Sequence, residues 1–376
     1  MESLRADVEA LSAIGRRAAT PGDLASAEWV ARRMREVGVE DVRIEPFRCH
    51  STWAIPYGAH NLLGLLAARL PARLRVPLAL ATAVSYESDY VGRNQTLRSV
   101  LPGAGTGHNV VGRIGRGVSK GSDPLRTLVL VAHHDAAHTG WVWDPRFLEG
   151  GRRHARRTGT TPSFIGLPLL ALLLVAFGAR RLGDALLWLS LGLGLQSALS
   201  ETVPGASDNA TGVAGILELA RRFVADPLPD TEVIVLAPSG EEVGLAGMYQ
   251  WLHISKGSDP LGSEGTLVVG LDTLGAGEPV VARGESFSGR YREEDMALAG
   301  DDVPRVVLGA GTDPMVACHA GLPAVSILSW ADGGFTNYHR PTDTADRVSW
   351  ESVERCVELA DQTVRRWHAA TRAPAR

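Results

Sequence analysis

Residues 127–135 read Thr-Leu-Val-Leu-Val-Ala-His-His-Asp. An apolar run without polar alternation suits a strand covered on both faces, and this one ends on side chains that can bind a metal or a proton. Similar runs follow at 232–237, 266–271 and 323–328. Helical periods lie between and after them: Val213, Ile216, Leu217 and Ala220, then Val353, Cys356, Val357, Ala360, Val364 and Trp367. Strands alternating with helices predict an α/β fold with a mixed, mostly parallel central sheet and helices on both faces. Ligands of such sheets gather at the carboxyl ends of the strands, where the run above stops. Upstream, Ala27, Val30, Ala31, Met34 and Val37 predict a helix over 24–37, with Asp23 as N-cap and Gly38 as its stop. Val42, Ile44 and Pro46-Phe47 predict an edge strand.

The 376 residues carry 38 Lys+Arg against 42 Asp+Glu. That balance excludes a nucleic-acid binder working through bulk positive charge. Cys49, Cys318 and Cys356 form no CxxC and no paired framework. The first residues, Met-Glu-Ser-Leu-Arg, contain no apolar core of a cleavable signal peptide. Residues 1–376 are read as a single catalytic domain. Mean hydropathy is zero with only 21% charged residues, so apolar material is concentrated somewhere. It lies in uncharged stretches at 49–68, 76–86, 158–179 and 185–200. Arg69, Arg73 and Arg75 divide the first pair, and Arg180, Arg181 and Asp184 divide the second. The expectation is two inserted hydrophobic helical hairpins, within 51–105 and 139–200, that act as transmembrane hairpins, since about 20 apolar residues make a span. The protein would then be membrane-associated; with the insertions packed as a soluble subdomain it would be cytoplasmic. A heptad, Ser-Lys-Gly-Ser-Asp-Pro-Leu, occurs at 119–125 and 255–261 and reads as two similar turns.

Five short segments concentrate acids and histidines at strand ends. They are His133-His134-Asp135, Gly205-Ala-Ser-Asp208-Asn-Ala-Thr-Gly212, Glu241-Glu242-Val-Gly-Leu-Ala-Gly247, Asp272-Thr-Leu-Gly275, and Asn337-Tyr-His339-Arg-Pro-Thr-Asp343. Each alone has a plainer reading, as a structural histidine, a helix cap or a solvated acid pair. His-x-Asp does place one imidazole and one carboxylate on the same side of an extended chain.

Taken in order, His-x-Asp, Asp, Glu-Glu, Asp and His resemble the zinc peptidase family M28, which includes bacterial leucyl aminopeptidases and is similar to glutamate carboxypeptidase. The stretch Thr312-Asp313-Pro-Met-Val-Ala-Cys-His-Ala-Gly321 also fits the family segment before the last ligand. The resemblance implies the three-layer zinc aminopeptidase-like sandwich and two zinc ions per chain. His133 and Asp272 would hold one, Glu242 and His339 the other, and Asp208 would bridge them. Asp135 would orient His133, and Glu241 would be the general base. Two Zn²⁺ against three carboxylates and a hydroxide give a neutral buried site. His134 departs from the family's bulky residue and Met248 from its small one, without removing a ligand. The function implied is an aminopeptidase releasing N-terminal residues from short peptides. The alternatives are a carboxypeptidase, another amide hydrolase or glutaminyl cyclase on the same scaffold, and a non-catalytic membrane scaffold.

Overall fold

The computed structural model describes residues 2–115, 126–163, 165–258, 261–262 and 265–372. The first copy of the heptad lies outside these residues and the second falls only partly within them. Nine strands form one sheet among the described residues: β1 Glu40–Cys49, β2 Gly105–Ile114, β3 Arg126–Val131, β4 Thr231–Ala237, β5 Thr266–Asp272, β6 Glu278–Glu285, β7 Gly289–Arg290, β8 Arg305–Leu308 and β9 Ala324–Trp330. Their spatial order is β1-β2-β4-β3-β5-β9-β6-β7, with β8 paired to β6. The central four, β4-β3-β5-β9, are parallel, whereas β1, β2 and β6 join antiparallel. Every residue of β4 and β5 is buried, as their unbroken apolar runs require.

Neighbouring residues of β5 show that both faces are covered. A Cβ on Gly270 would meet Pro314 of the helix Asp313–His319. Next to it, Leu271 reaches Gly215 of the helix Thr211–Ala225, against which Val357 of Trp350–Arg372 also packs. Successive strand residues point to opposite faces, so these helices lie on opposite sides. Register aligns Val131 with both Leu236 and Gly270, and Asp272 with Leu328, which brings the carboxyl ends of four parallel strands to one edge.

The early helix runs Pro21–Glu36 and stops at Gly38, whose φ of +93° suits a residue without Cβ. Its N-cap is Thr20, not Asp23 as the sequence suggested. Pro21 starts the helix one turn earlier, since its fixed φ and missing N–H suit the first helical position. Asp23 is buried instead, pairing with His108 Nδ1 at 2.8 Å and accepting from Ser239 Oγ.

The two insertions contribute the helices Ala54–Arg69, Ala72–Tyr90, Gly166–Ala176 and Arg180–Ala198. They pack side by side as a four-helix bundle around Leu65, Ala79, Leu172, Val175 and Leu187. Arg69 meets Asp184 at 2.6 Å across the two turns at its tip. The transmembrane expectation is corrected here: no helix among the described residues is long and apolar enough to cross a membrane. The uncharged stretch 158–179 yields only 11 helical residues, about 16 Å of rise, half the hydrocarbon thickness. Ala54–Arg69 has 16 residues and buries His60 and Asn61, and the two 19-residue helices carry charges near their ends.

Candidate metal centre

Loops leaving the common edge of β3, β4, β5 and β9 converge on one buried cluster. His133 and Asp135 follow β3, Glu241 and Glu242 follow β4, Asp272 ends β5, and His339 sits on the loop after β9. Asp208 comes from the segment just before the helix Thr211–Ala225. Two groups of possible ligands share it: His133, Asp208 and Asp272, and Asp208, Glu242 and His339, each with donor atoms within 4.8 Å. Asp208 faces both imidazoles. Its Oδ1 lies 3.3 Å from His133 Nε2, and its Oδ2 lies 3.1 Å from His339 Nε2. Asp272 Oδ2 is 3.9 Å from His133 Nε2, and Glu242 Oε2 is 3.0 Å from His339 Nε2. Glu241 Oε2 stands 3.8 Å from His133 Nε2.

Local hydrogen bonds fix this geometry. Asp135 approaches His133 Nδ1 at 3.4 Å, and its two oxygens accept from the Glu241 and Glu242 amides at 3.2 Å each. Asp343 accepts from the Ser207 and Asp208 amides at 2.8 and 3.1 Å, so the His339 loop grips the Asp208 loop. Asn209 donates to Leu271 O at 2.9 Å and accepts from Gly212, which fastens that loop to β5. The fully buried Arg16 donates to the carbonyls of Pro204 and Gly205. His134 turns away from the cluster: its Nδ1 is 2.7 Å from Ser26 Oγ and its Nε2 is 2.7 Å from His108 O. Met248 is buried in the main core.

A cation fits this cluster. His133 Nε2, His339 Nε2, Asp208 Oδ2 and Glu242 Oε1 are buried with no partner in hydrogen-bond geometry, although their neighbours stand close. Buried polar atoms left without partners are costly, and ligands converging on a shared point explain the arrangement. Imidazole nitrogen with carboxylate oxygen is a zinc-type donor set. Without a metal charge, burial pushes the carboxyl of Asp272 up to about 6 and that of Glu242 up to about 7. Burial pushes Glu241 well above the ordinary carboxyl range too. Burial also acts on Asp208, but the two imidazoles outweigh it and hold this carboxyl well below the usual range. His339 is opposed by burial, yet Glu242 and Asp208 raise it to about 10. Three of four carboxyls that resist ionisation are groups that a cation would relieve.

A cavity of about 340 Å³ opens beside the cluster, with Glu241, Glu242 and His339 among its lining. Its walls include Trp53, Tyr57, Tyr86, Trp143, Ile165 and Phe335. Five of those six belong to the insertions. Trp143 meets the His339 ring edge-on at 4.3 Å, and Tyr338 stacks on it at 3.9 Å. Sequence reasoning also missed a clamp on the Glu241–Glu242 turn. Arg98 donates to Val243 O, Gln95 donates to Gly244 O at 2.6 Å, and Asp89 pairs with Arg98 in a fully buried setting. Arg98 lies inside the 51–105 insertion, and nothing in its local sequence pattern marks it.

The profile described as Peptidase family M28 matches residues 190–364. That match spans just under half of the chain and likens this part of it to peptidase family M28. Two curated relatives are similar over part of the chain: the Bacillus subtilis aminopeptidase YwaD is 27% identical over 172 residues, covering 43% of this chain and 37% of its own. The Escherichia coli uncharacterized protein YfbL is 26% identical over 190 residues, covering 41% and 57%. The chain thus spans less than two thirds of either relative's length. Solved structures extend the likeness in fold. An aminopeptidase from Aneurinibacillus sp. strain AM-1 covers 96% of this chain and 92% of its own, with TM-score 0.56 and 16% identity. BSAP, a zinc aminopeptidase from Bacillus subtilis, covers 96% and 93% at the same TM-score and identity.

Proposed function

We propose that the chain is a two-zinc aminopeptidase that hydrolyses the first peptide bond of peptides with a bulky apolar N-terminal side chain. The observation carrying this reading is Asp208, whose two oxygens each face a different imidazole, as a bridging carboxylate must. His133 and Asp272 would hold one ion, and Glu242 and His339 the other. Zinc ions bound there supply Lewis-acid polarisation of the scissile carbonyl and a water of pKa about 7.

Glu241 stands with His133 and Glu242 in a third group of possible ligands but outside the two groups that share Asp208, and we assign its carboxylate the role of base. It accepts the proton of the attacking water and returns it to the leaving amine. Burial raises the Glu241 pKa towards the operating range of such a shuttle. Asp135 holds the His133 ring and both amides of the turn, so one carboxylate sets ligand and base together. The aromatic cavity receives the side chain of the N-terminal residue and excludes water from it. Among the described residues the cavity wall offers a peptide carboxylate a single guanidinium. Arg152, the only arginine lining the cavity among the described residues, donates to Phe335 O. Acidic groups favour a substrate ammonium instead.

The test combines metal analysis with cleavage of leucyl and phenylalanyl anilides and of amino-blocked peptides. We expect about two zinc per chain, hydrolysis of the free-amine substrates only, and a loss of about 10²–10⁴-fold in kcat for Glu241→Gln with zinc retained. Unchanged turnover in Glu241→Gln would defeat the base assignment. Cleavage confined to amino-blocked peptides would make the enzyme a carboxypeptidase, and cyclisation of N-terminal glutamine would make it a cyclase.

A further inference from the structure

Large apolar side chains that face solvent are gathered in one place. Of the nineteen exposed among the described residues, twelve lie on the four bundle helices and the turns that join them. Leu66, Leu80, Val84, Leu173, Trp188 and Leu195 look outward from all four. The helix Trp350–Arg372 shows the ordinary contrast, presenting Glu354, Arg355, Glu358, Gln362, Arg365 and Arg366 to solvent over a buried apolar stripe. The bundle is apolar inside and out. Helices apolar all round are found where something other than water covers them.

Charge indicates the cover. The helix starts at the tip expose Arg73, Arg180 and Arg181. Asp184 is the only acid in three of the four helices, and it is already paired with Arg69. In the fourth, Glu87 and Asp89 sit at the opposite end, where they hold Ser286 and Ser288, and Arg98. A second copy would bring another ring of arginines with no acids to meet it. A phosphate-bearing lipid surface brings both an apolar phase and the countercharge.

We propose that the bundle is the seat for a lipid bilayer with anionic headgroups, its outward leucines and Trp188 meeting acyl chains and its tip arginines meeting phosphates. The contact is made by the bundle as a unit and requires no single helix to cross. It stands independently of the hydrolytic reading, because its residues lie outside the metal cluster.

The experiment is flotation of the purified full chain with vesicles of phosphatidylcholine alone or mixed with phosphatidylglycerol. We expect flotation at least about tenfold stronger on the anionic vesicles at low salt, weakening as salt screens the arginines. Brominated acyl chains should quench the part of the fluorescence that Trp188→Phe removes. Leu66→Ser, Leu80→Ser, Leu173→Ser and Leu195→Ser combined should abolish flotation, and Arg73→Gln, Arg180→Gln and Arg181→Gln should remove the anionic preference. Circular dichroism reports whether these variants fold, whatever their activity. No flotation, or equal flotation on both compositions, overturns the proposal. So does a vesicle-free dimer, seen by sedimentation equilibrium, that the leucine substitutions dissolve.

Discussion

Arg98 shows how much of the centre depends on a side chain that touches none of its ligands. Its guanidinium sits between Asp89 and the carbonyl of Val243, one residue beyond Glu242, while Tyr57 lies under it with the guanidinium carbon 5.6 Å from the ring centroid. Removing it frees the turn that carries Glu241 and Glu242 and leaves Asp89 buried without its partner. Arg98→Ala is expected to lower kcat by about 10²-fold with a smaller change in KM, since misplacing a reacting group by an ångström costs that much. Zinc content per folded chain separates loss of positioning from loss of metal. Glu285 offers a second readout. It accepts from Thr312 and Tyr291 in full burial, and burial pushes its carboxyl up to about 8. The unfolded chain releases that proton near pH 4.5, so stability from this group falls as pH rises from there to about 8. Urea midpoints between pH 5 and 8 should therefore fall more steeply in the wild type than in Glu285→Gln. Parallel slopes would show that Glu285 does not titrate in this window.

At the level of elements, the parallel strands were legible because burial on both faces leaves an unbroken apolar run. The 127–132, 232–237, 266–271 and 323–328 expectations correspond to β3, β4, β5 and β9 within a residue or two. The cluster residues were legible because each motif stands at a strand end or helix entrance, so chain order alone lays them along one edge. What could not be read were contacts between distant segments. Gln95 and Arg98 meet the Glu241–Glu242 turn from about 145 residues away, and no local period records that. The transmembrane expectation failed for a related reason. An uncharged stretch measures composition, whereas a span needs continuous helix, and Gly159, Pro162 and Pro168 confine the helix of the 158–179 stretch to 11 residues. Asp23 misled because a helix start has several suitable residues nearby, and Pro21 decided between them.

For the whole molecule, the cluster is a point where five chain segments are held by acids and imidazoles that repel or remain unpaired without a cation. Metal bound only by the folded chain stabilises it by mass action, about 4 kcal/mol at a thousandfold excess over Kd. Chelation should thus lower Tm, and zinc should restore it; Asp208→Ala, lacking the shared ligand, should show a much smaller response in the same thermal scan. An equal response in that variant would place the stabilising metal elsewhere.

The helix Ala54–Arg69 has one further consequence. Tyr57 near its inner end walls the cavity, while Leu66 near its outer end belongs to the bare apolar shell. Nine residues of continuous helix separate them, about 14 Å of stiff rod. If restraint at one end is felt at the other, occupancy of the shell and occupancy of the cavity are thermodynamically reciprocal. A substrate that binds tighter to the seated protein must tighten the seat by the same factor.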